Sequence, residues 1–107
     1  MKPNIPLACN MNVFTSAERA SHMLNTAQLS QAVQNIQEVE NGFEFNFPNE
    51  TEVITSLGEF ISKERLCCPF LEFTLEVTQT DEPISLTLTG PEGTPEFLRE
   101  EFSEIFA

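Results

Sequence analysis

Three stretches of strict alternation constrain this chain more than any other feature. Phe43, Phe45 and Phe47 alternate with Glu44 and Asn46. Leu71, Phe73, Leu75 and Val77 alternate with Glu72, Thr74 and Glu76, and Ile84, Leu86 and Leu88 with Ser85 and Thr87. Successive side chains of a strand point to opposite faces, so each run buries one face and wets the other. Asn41-Gly42 is a strong hairpin signal ahead of the first run, and Asp81-Glu82-Pro83 supplies a turn between the other two. A two-residue loop at Asn41-Gly42 would set Glu40 opposite Phe43. A three-residue loop with Gly42 left-handed would pair Val39 with Phe43, which packs better but leaves Ile36 out of phase.

Helical spacing fills the intervals. Thr15-Ser16-Ala17-Glu18 is a capping box, opening a helix whose apolar face is Ala20, Leu24 and Ala27 and which should fade near Leu29-Ser30. Asn49 with Glu52 is a second cap, and Val53, Ile54, Leu57, Phe60 and Ile61 form an amphipathic stripe. That helix must stop near Cys67, because the residue before Pro69 is pushed out of the helical region. Gly90-Pro91-Glu92-Gly93 breaks the last strand; Thr94 then caps a final helix with Pro95 at its first position and Phe97, Leu98, Phe102, Ile105 and Phe106 on its buried side. The expectation is one α+β domain over residues 15–107, in the order α-ββ-α-ββ-α. A four-stranded antiparallel sheet carries the helices on one face, behind an irregular N-terminal arm at 1–14. Strand order is not legible.

Charge narrows the partners. Seventeen acidic against five basic residues give a formal charge of −12, so no basic stripe exists to grip phosphate, and neither nucleic acid nor an anionic membrane is expected as a partner. No apolar run approaches the length that spans a bilayer. The N-terminal segment is too short in its apolar part, and too broken by Pro3 and Pro6, for a secretion signal, so a reducing cytosol is the expected compartment. The three cysteines, an odd number, suggest no disulfide framework, and free thiols are the expectation.

The chemistry concentrates at Cys67-Cys68. Neighbouring Cα atoms lie about 3.8 Å apart, too close for an unstrained disulfide between them. Their sulfurs can still converge on one soft ion. An activated nucleophile is harder to build there, since thiolates are favoured at helix N-termini and beside cations. This pair ends a helix between Glu64 and Glu72, with only Lys63 and Arg65 opposing. Leu57, Phe60, Glu64 and Cys67 recur at spacings of three, four and three, which puts Glu64 on the apolar seam one turn before the cysteines. A carboxylate on a core-facing stripe breaks the pattern as functional residues do. The plainer alternative is a boundary glutamate paired with Arg19 or Lys63. Cys9 and His22 are the remaining candidate ligands; three thiols and an imidazole would suit zinc, copper(I) or mercury(II). Their spacing matches no compact zinc motif, and a lone His on a surface helix is more often solvated.

The segment Glu64-Arg65-Leu66-Cys67-Cys68-Pro69-Phe70-Leu71-Glu72-Phe73-Thr74-Leu75 resembles a family of short bacterial proteins carrying E-R-x-C-C-P-F-x-x-F-x-L. The resemblance extends to Ala17-Glu18-Arg19 with His22, to Asn41-Gly42, and to Leu86-Thr87-Leu88-Thr89-Gly90-Pro91-Glu92-Gly93. It implies a link to heavy-metal resistance and marks Glu64, Cys67 and Cys68 as the leading site positions, with Cys9 and His22 behind them. Three functional readings stand at this point. The first is a vicinal dithiol site for a soft metal or metalloid ion. A thiol-dependent redox or transfer enzyme is the second. A non-catalytic interaction domain, dimeric through a Phe-rich surface with the cysteines as packing, is the third.

Overall fold

A computed structural model describes residues 7–106. Residues 1–6 of the expected arm lie outside it. The order is a 3₁₀ turn at Met11–Val13, α1 (Ser16–Ala32), β1 (Asn35–Val39), β2 (Gly42–Phe47), α2 (Thr51–Cys67), β3 (Glu72–Glu76), β4 (Ile84–Thr89), α3 (Thr94–Glu101) and α4 (Ser103–Phe106). The four strands form one antiparallel sheet in the order β1-β2-β4-β3. This is the α+β architecture that the alternation and caps imply. The inner face of the central strands is buried from end to end, through Phe43, Phe45 and Phe47 of β2 and Ile84, Leu86 and Leu88 of β4. Helices cover that face, while Glu44, Asn46, Ser85 and Thr87 line the other.

The Thr15 box forms as expected. The Thr15 hydroxyl accepts from the Glu18 amide at 3.2 Å, and the Glu18 carboxylate accepts from the Thr15 amide at 2.9 Å. The helix continues past Leu29-Ser30 to Ala32, and the Thr26 and Ser30 hydroxyls donate to carbonyls one turn back. Its buried stripe differs from the expected one. Ala20 and Leu24 face outward, Leu24 at 62% exposure, while His22 and Leu29 face inward. Leu29 and the polar partner of His22 together outweigh Ala20 and Leu24 in choosing the face, and Ala27 of the expected stripe is half-buried.

The first hairpin corrects the expected register. Val39 pairs with Gly42, Glu38 with Phe43 and Ile36 with Phe45, across a two-residue loop of Glu40 and Asn41. Asn41, not Gly42, takes the left-handed conformation, at φ 59°. Gly42 serves a different need, since a Cβ there would overlap the Leu88 carbonyl oxygen of the neighbouring strand. With this register Ile36 falls into phase and packs against the core. Glu38 sits at the sheet edge, where its carboxylate accepts from Arg99 at 3.1 Å while the Arg99 guanidinium lies 5.0 Å above the Phe43 ring. Gly42→Ala is expected to cost about 1–3 kcal/mol by forcing β2 from β4, read as a lower urea midpoint. An unchanged midpoint would contradict this packing.

Two expected caps are employed elsewhere. Glu50 occupies the cap position of α2 without a side-chain hydrogen bond. Asn49 instead donates its side-chain amide to the carbonyls of Gln79 and Glu82 at 3.0 and 2.9 Å, tying the β3–β4 turn to the start of α2. Thr94 is the first helical residue of α3 rather than its cap. Gly93 holds the cap position at φ 97°, and the fully buried Thr94 hydroxyl donates to the Pro91 carbonyl at 2.6 Å. The expected single C-terminal helix breaks at Phe102, whose backbone leaves helical geometry. That break lets Leu98 and Phe102 fill the core while Phe106 packs on Phe43.

A buried carboxylate and cysteine cluster

The seam predicted along α2 is the inner face of the helix. Leu57, Phe60, Glu64 and Cys67 are all buried, and Glu64 is only 4% exposed. Cys68 terminates the helix: its amide donates to the Glu64 carbonyl at 2.8 Å, and its carbonyl accepts from the Leu71 amide at 3.1 Å. With Pro69 blocking continuation, both cysteine side chains are held inside the last turn. The Cys67 Sγ lies 3.4 Å from one Glu64 carboxylate oxygen and the Cys68 Sγ 3.4 Å from the other. The two sulfurs are 3.8 Å apart and unbonded, as the neighbour geometry requires.

The third cysteine overturns the expectation of three free thiols. Cys9 and Cys68 form a disulfide, with Cα atoms 4.5 Å apart, and Cys67 is the free thiol. Counting cysteines could not reveal it, because the partners are separated by 59 residues. The arm folds back over the end of α2: the Asn10 amide donates to the Cys67 carbonyl at 2.7 Å, and Phe14 is seated in the core. Residue 9 is thereby brought against residue 68.

One ligand atom from each of Cys9, Glu64, Cys67 and Cys68 lies within 4.8 Å of all the others. Four of the five residues singled out in sequence therefore converge. His22 stands one step behind. Its Nε2 is 2.8 Å from the Glu64 Oε1, and the imidazole, 5% exposed, lies between Phe14 and Phe60 with ring centroids at 5.6 and 5.8 Å. The buried Nδ1 has no hydrogen-bond partner among the described residues. This residue is buried, not solvated as a lone surface histidine would be. It holds the carboxylate in place, as outer partners of ligating groups do. The alternative partners for Glu64 are not used: the Lys63 ammonium sits 3.7 Å from Glu18 instead.

A cavity of about 180 Å³ leads to this pair, lined by Met11, His22, Met23, Glu64, Glu101 and Glu104 among others. Glu101 is the residue that sequence reasoning missed. Partial burial, then the negative charges of Glu64 and Glu100, push its carboxyl above the usual range. No sequence signal marks it: Glu101 is an exposed residue at the end of α3, beside the break at Phe102, and only the fold brings it to this cavity.

Burial, reinforced by the charges of Glu64 and Glu101, pushes the Cys67 thiol up to about 12. An acid with a raised pKa keeps its proton over the whole neutral range. Labelling of native Cys67 by iodoacetamide at about pH 8 should therefore run slower than at a free cysteine by about three orders of magnitude. It should accelerate only as the pH climbs towards about 12. Labelling of the folded protein at the rate of a small thiol would contradict this environment.

Fold and site together define a small α+β protein with a buried carboxylate–cysteine cluster at the end of one helix. No family model, curated protein or solved structure matches the chain. Among the described residues no helix is long and apolar enough to cross a membrane.

Proposed function

We propose that the protein, with its cysteines reduced, binds one soft metal or metalloid ion through Cys67, Cys68 and Cys9, with Glu64 as the oxygen ligand. The convergence of three sulfurs and one carboxylate within 4.8 Å carries this reading. Soft thiolates with a single carboxylate suit zinc, copper(I) or mercury(II). The surrounding charge favours it too. Glu64 and Glu101 penalise a bare thiolate at Cys67, whereas a bound cation supplies the missing positive charge. That same penalty makes a nucleophilic Cys67 the weaker reading. The resemblance to the bacterial double-cysteine family, with its heavy-metal association, points the same way. A reducing cytosol is the compartment in which all three thiols would be free.

The test is a titration of the protein, reduced with a phosphine, by cadmium(II) as a soft spectroscopic probe. Sulfur-to-metal charge-transfer absorbance should rise linearly and saturate at one ion per chain, while thiols open to a disulfide reagent disappear. No absorbance change, with all thiols still titratable, would end the proposal.

A further inference from the structure

The sulfurs that would hold the ion are the same sulfurs that form the disulfide. A disulfide sulfur has no thiolate charge to donate, so with Cys9 and Cys68 bonded to each other the cluster offers only Cys67 and Glu64. One sulfur and one carboxylate make a poor site for a soft ion.

Resting on the metal-binding reading above, we propose that the Cys9–Cys68 disulfide is a redox lock on the site, closed in the oxidised protein and opened by a dithiol reductant. The two bonded residues differ in access. Cys68 is 0% exposed, whereas Cys9 is only partly buried, so an incoming thiolate meets the Cys9 sulfur first. Attack there forms a mixed disulfide with Cys9 and breaks the Cys9–Cys68 bond. Cys68 departs as a thiolate and takes up a proton. The second thiol of the reductant then displaces Cys9, also as a thiolate that gains a proton. Two electrons and two protons pass to the protein, and the reductant leaves as its own disulfide.

Opening the lock leaves the ligands in place. Cys9 adjoins Asn10, whose amide donates to the Cys67 carbonyl at 2.7 Å and whose side chain accepts from the Asn12 amide at 3.1 Å. The buried Phe14 anchors the same segment four residues further on. None of these contacts is made by a sulfur of the disulfide. The reduced arm therefore keeps a third thiol beside Cys67, Cys68 and Glu64, and one reduction converts a one-sulfur site into a three-sulfur site.

The experiment compares full-length protein in two states, oxidised with diamide and reduced with phosphine then freed of it, each state confirmed by its intact mass. Both are titrated with cadmium(II) against a competing chelator, alongside Cys9→Ser, which cannot form the disulfide. Reduced protein should bind more than about 100-fold more tightly than oxidised protein, because two of four ligands are restored. Cys9→Ser should bind with an intermediate affinity that is the same after either pretreatment. By reciprocity, saturating cadmium(II) should slow diamide re-oxidation of the wild type. Equal affinity in the two wild-type states would overturn the lock and leave the metal site standing. A Cys9→Ser protein that kept the redox dependence would overturn it as well. Binding in neither state would overturn the lock together with the reading on which it rests.

Discussion

Reducing the Cys9–Cys68 disulfide should lower the unfolding free energy of the metal-free protein by roughly 4 kcal/mol, taking the chain-entropy estimate for a loop of this size. The bond closes a loop spanning a sequence separation of 59, which encloses α1, the first hairpin and α2. Cutting it releases that loop in the unfolded state but leaves the packed sheet and helices intact. Urea unfolding followed by far-ultraviolet circular dichroism, with and without phosphine, reads the difference as a shift in midpoint. On the proposed binding to the reduced cluster, cadmium(II) at 100 times its dissociation constant should return about 2.7 kcal/mol. A midpoint insensitive to phosphine would show that the disulfide carries no stability.

The second large effect concerns affinity rather than stability. Cys67→Ala together with Cys68→Ala should weaken cadmium(II) binding by on the order of a thousandfold or more, since no soft ligand but Cys9 remains. His22→Ala should weaken it by about 10–100-fold, the usual effect of removing the partner that orients a ligand. Both cysteines are essentially unexposed, at 1% and 0%, so the double variant also loses some packing. Leu57→Ala separates the two contributions. Leu57 is fully buried on the same face of α2 but bears no ligand, and its loss should cost about 2–5 kcal/mol of stability. If that variant, still folded, lost cadmium(II) affinity as completely as the cysteine variant, packing and not ligation would explain the effect.

Local features of the chain were the legible ones. The spacing of Leu57, Phe60, Glu64 and Cys67 put a carboxylate and a thiol on one buried seam, because helical period alone decides which residues share a face. Pro69 marked where that helix stops. The alternating runs named three of the four strands, and the Asn41-Gly42 signal located the hairpin. Its register was not legible, since either residue can take the left-handed conformation. The choice was made by contact with Leu88, a strand far along the chain. Long-range pairings failed for the same reason. Nothing near Cys9 announces Cys68, nothing near His22 announces Glu64, and Asn49 looks like a cap until the Gln79 and Glu82 carbonyls arrive beside it. His22 was nonetheless selected as a candidate, through the resemblance and its chemistry. Glu101 was overlooked because it is exposed at the end of α3 and meets the cavity only through the fold.

Native mass spectrometry of the reduced protein with one equivalent of zinc(II), and separately of mercury(II), tests the central claim most directly. The predicted result is a single adduct per chain, with the mass of one ion less the protons displaced from the ligating thiols, and its absence in the Cys67→Ala, Cys68→Ala protein. Folded, reduced protein that stayed at its metal-free mass with both ions would contradict the claim.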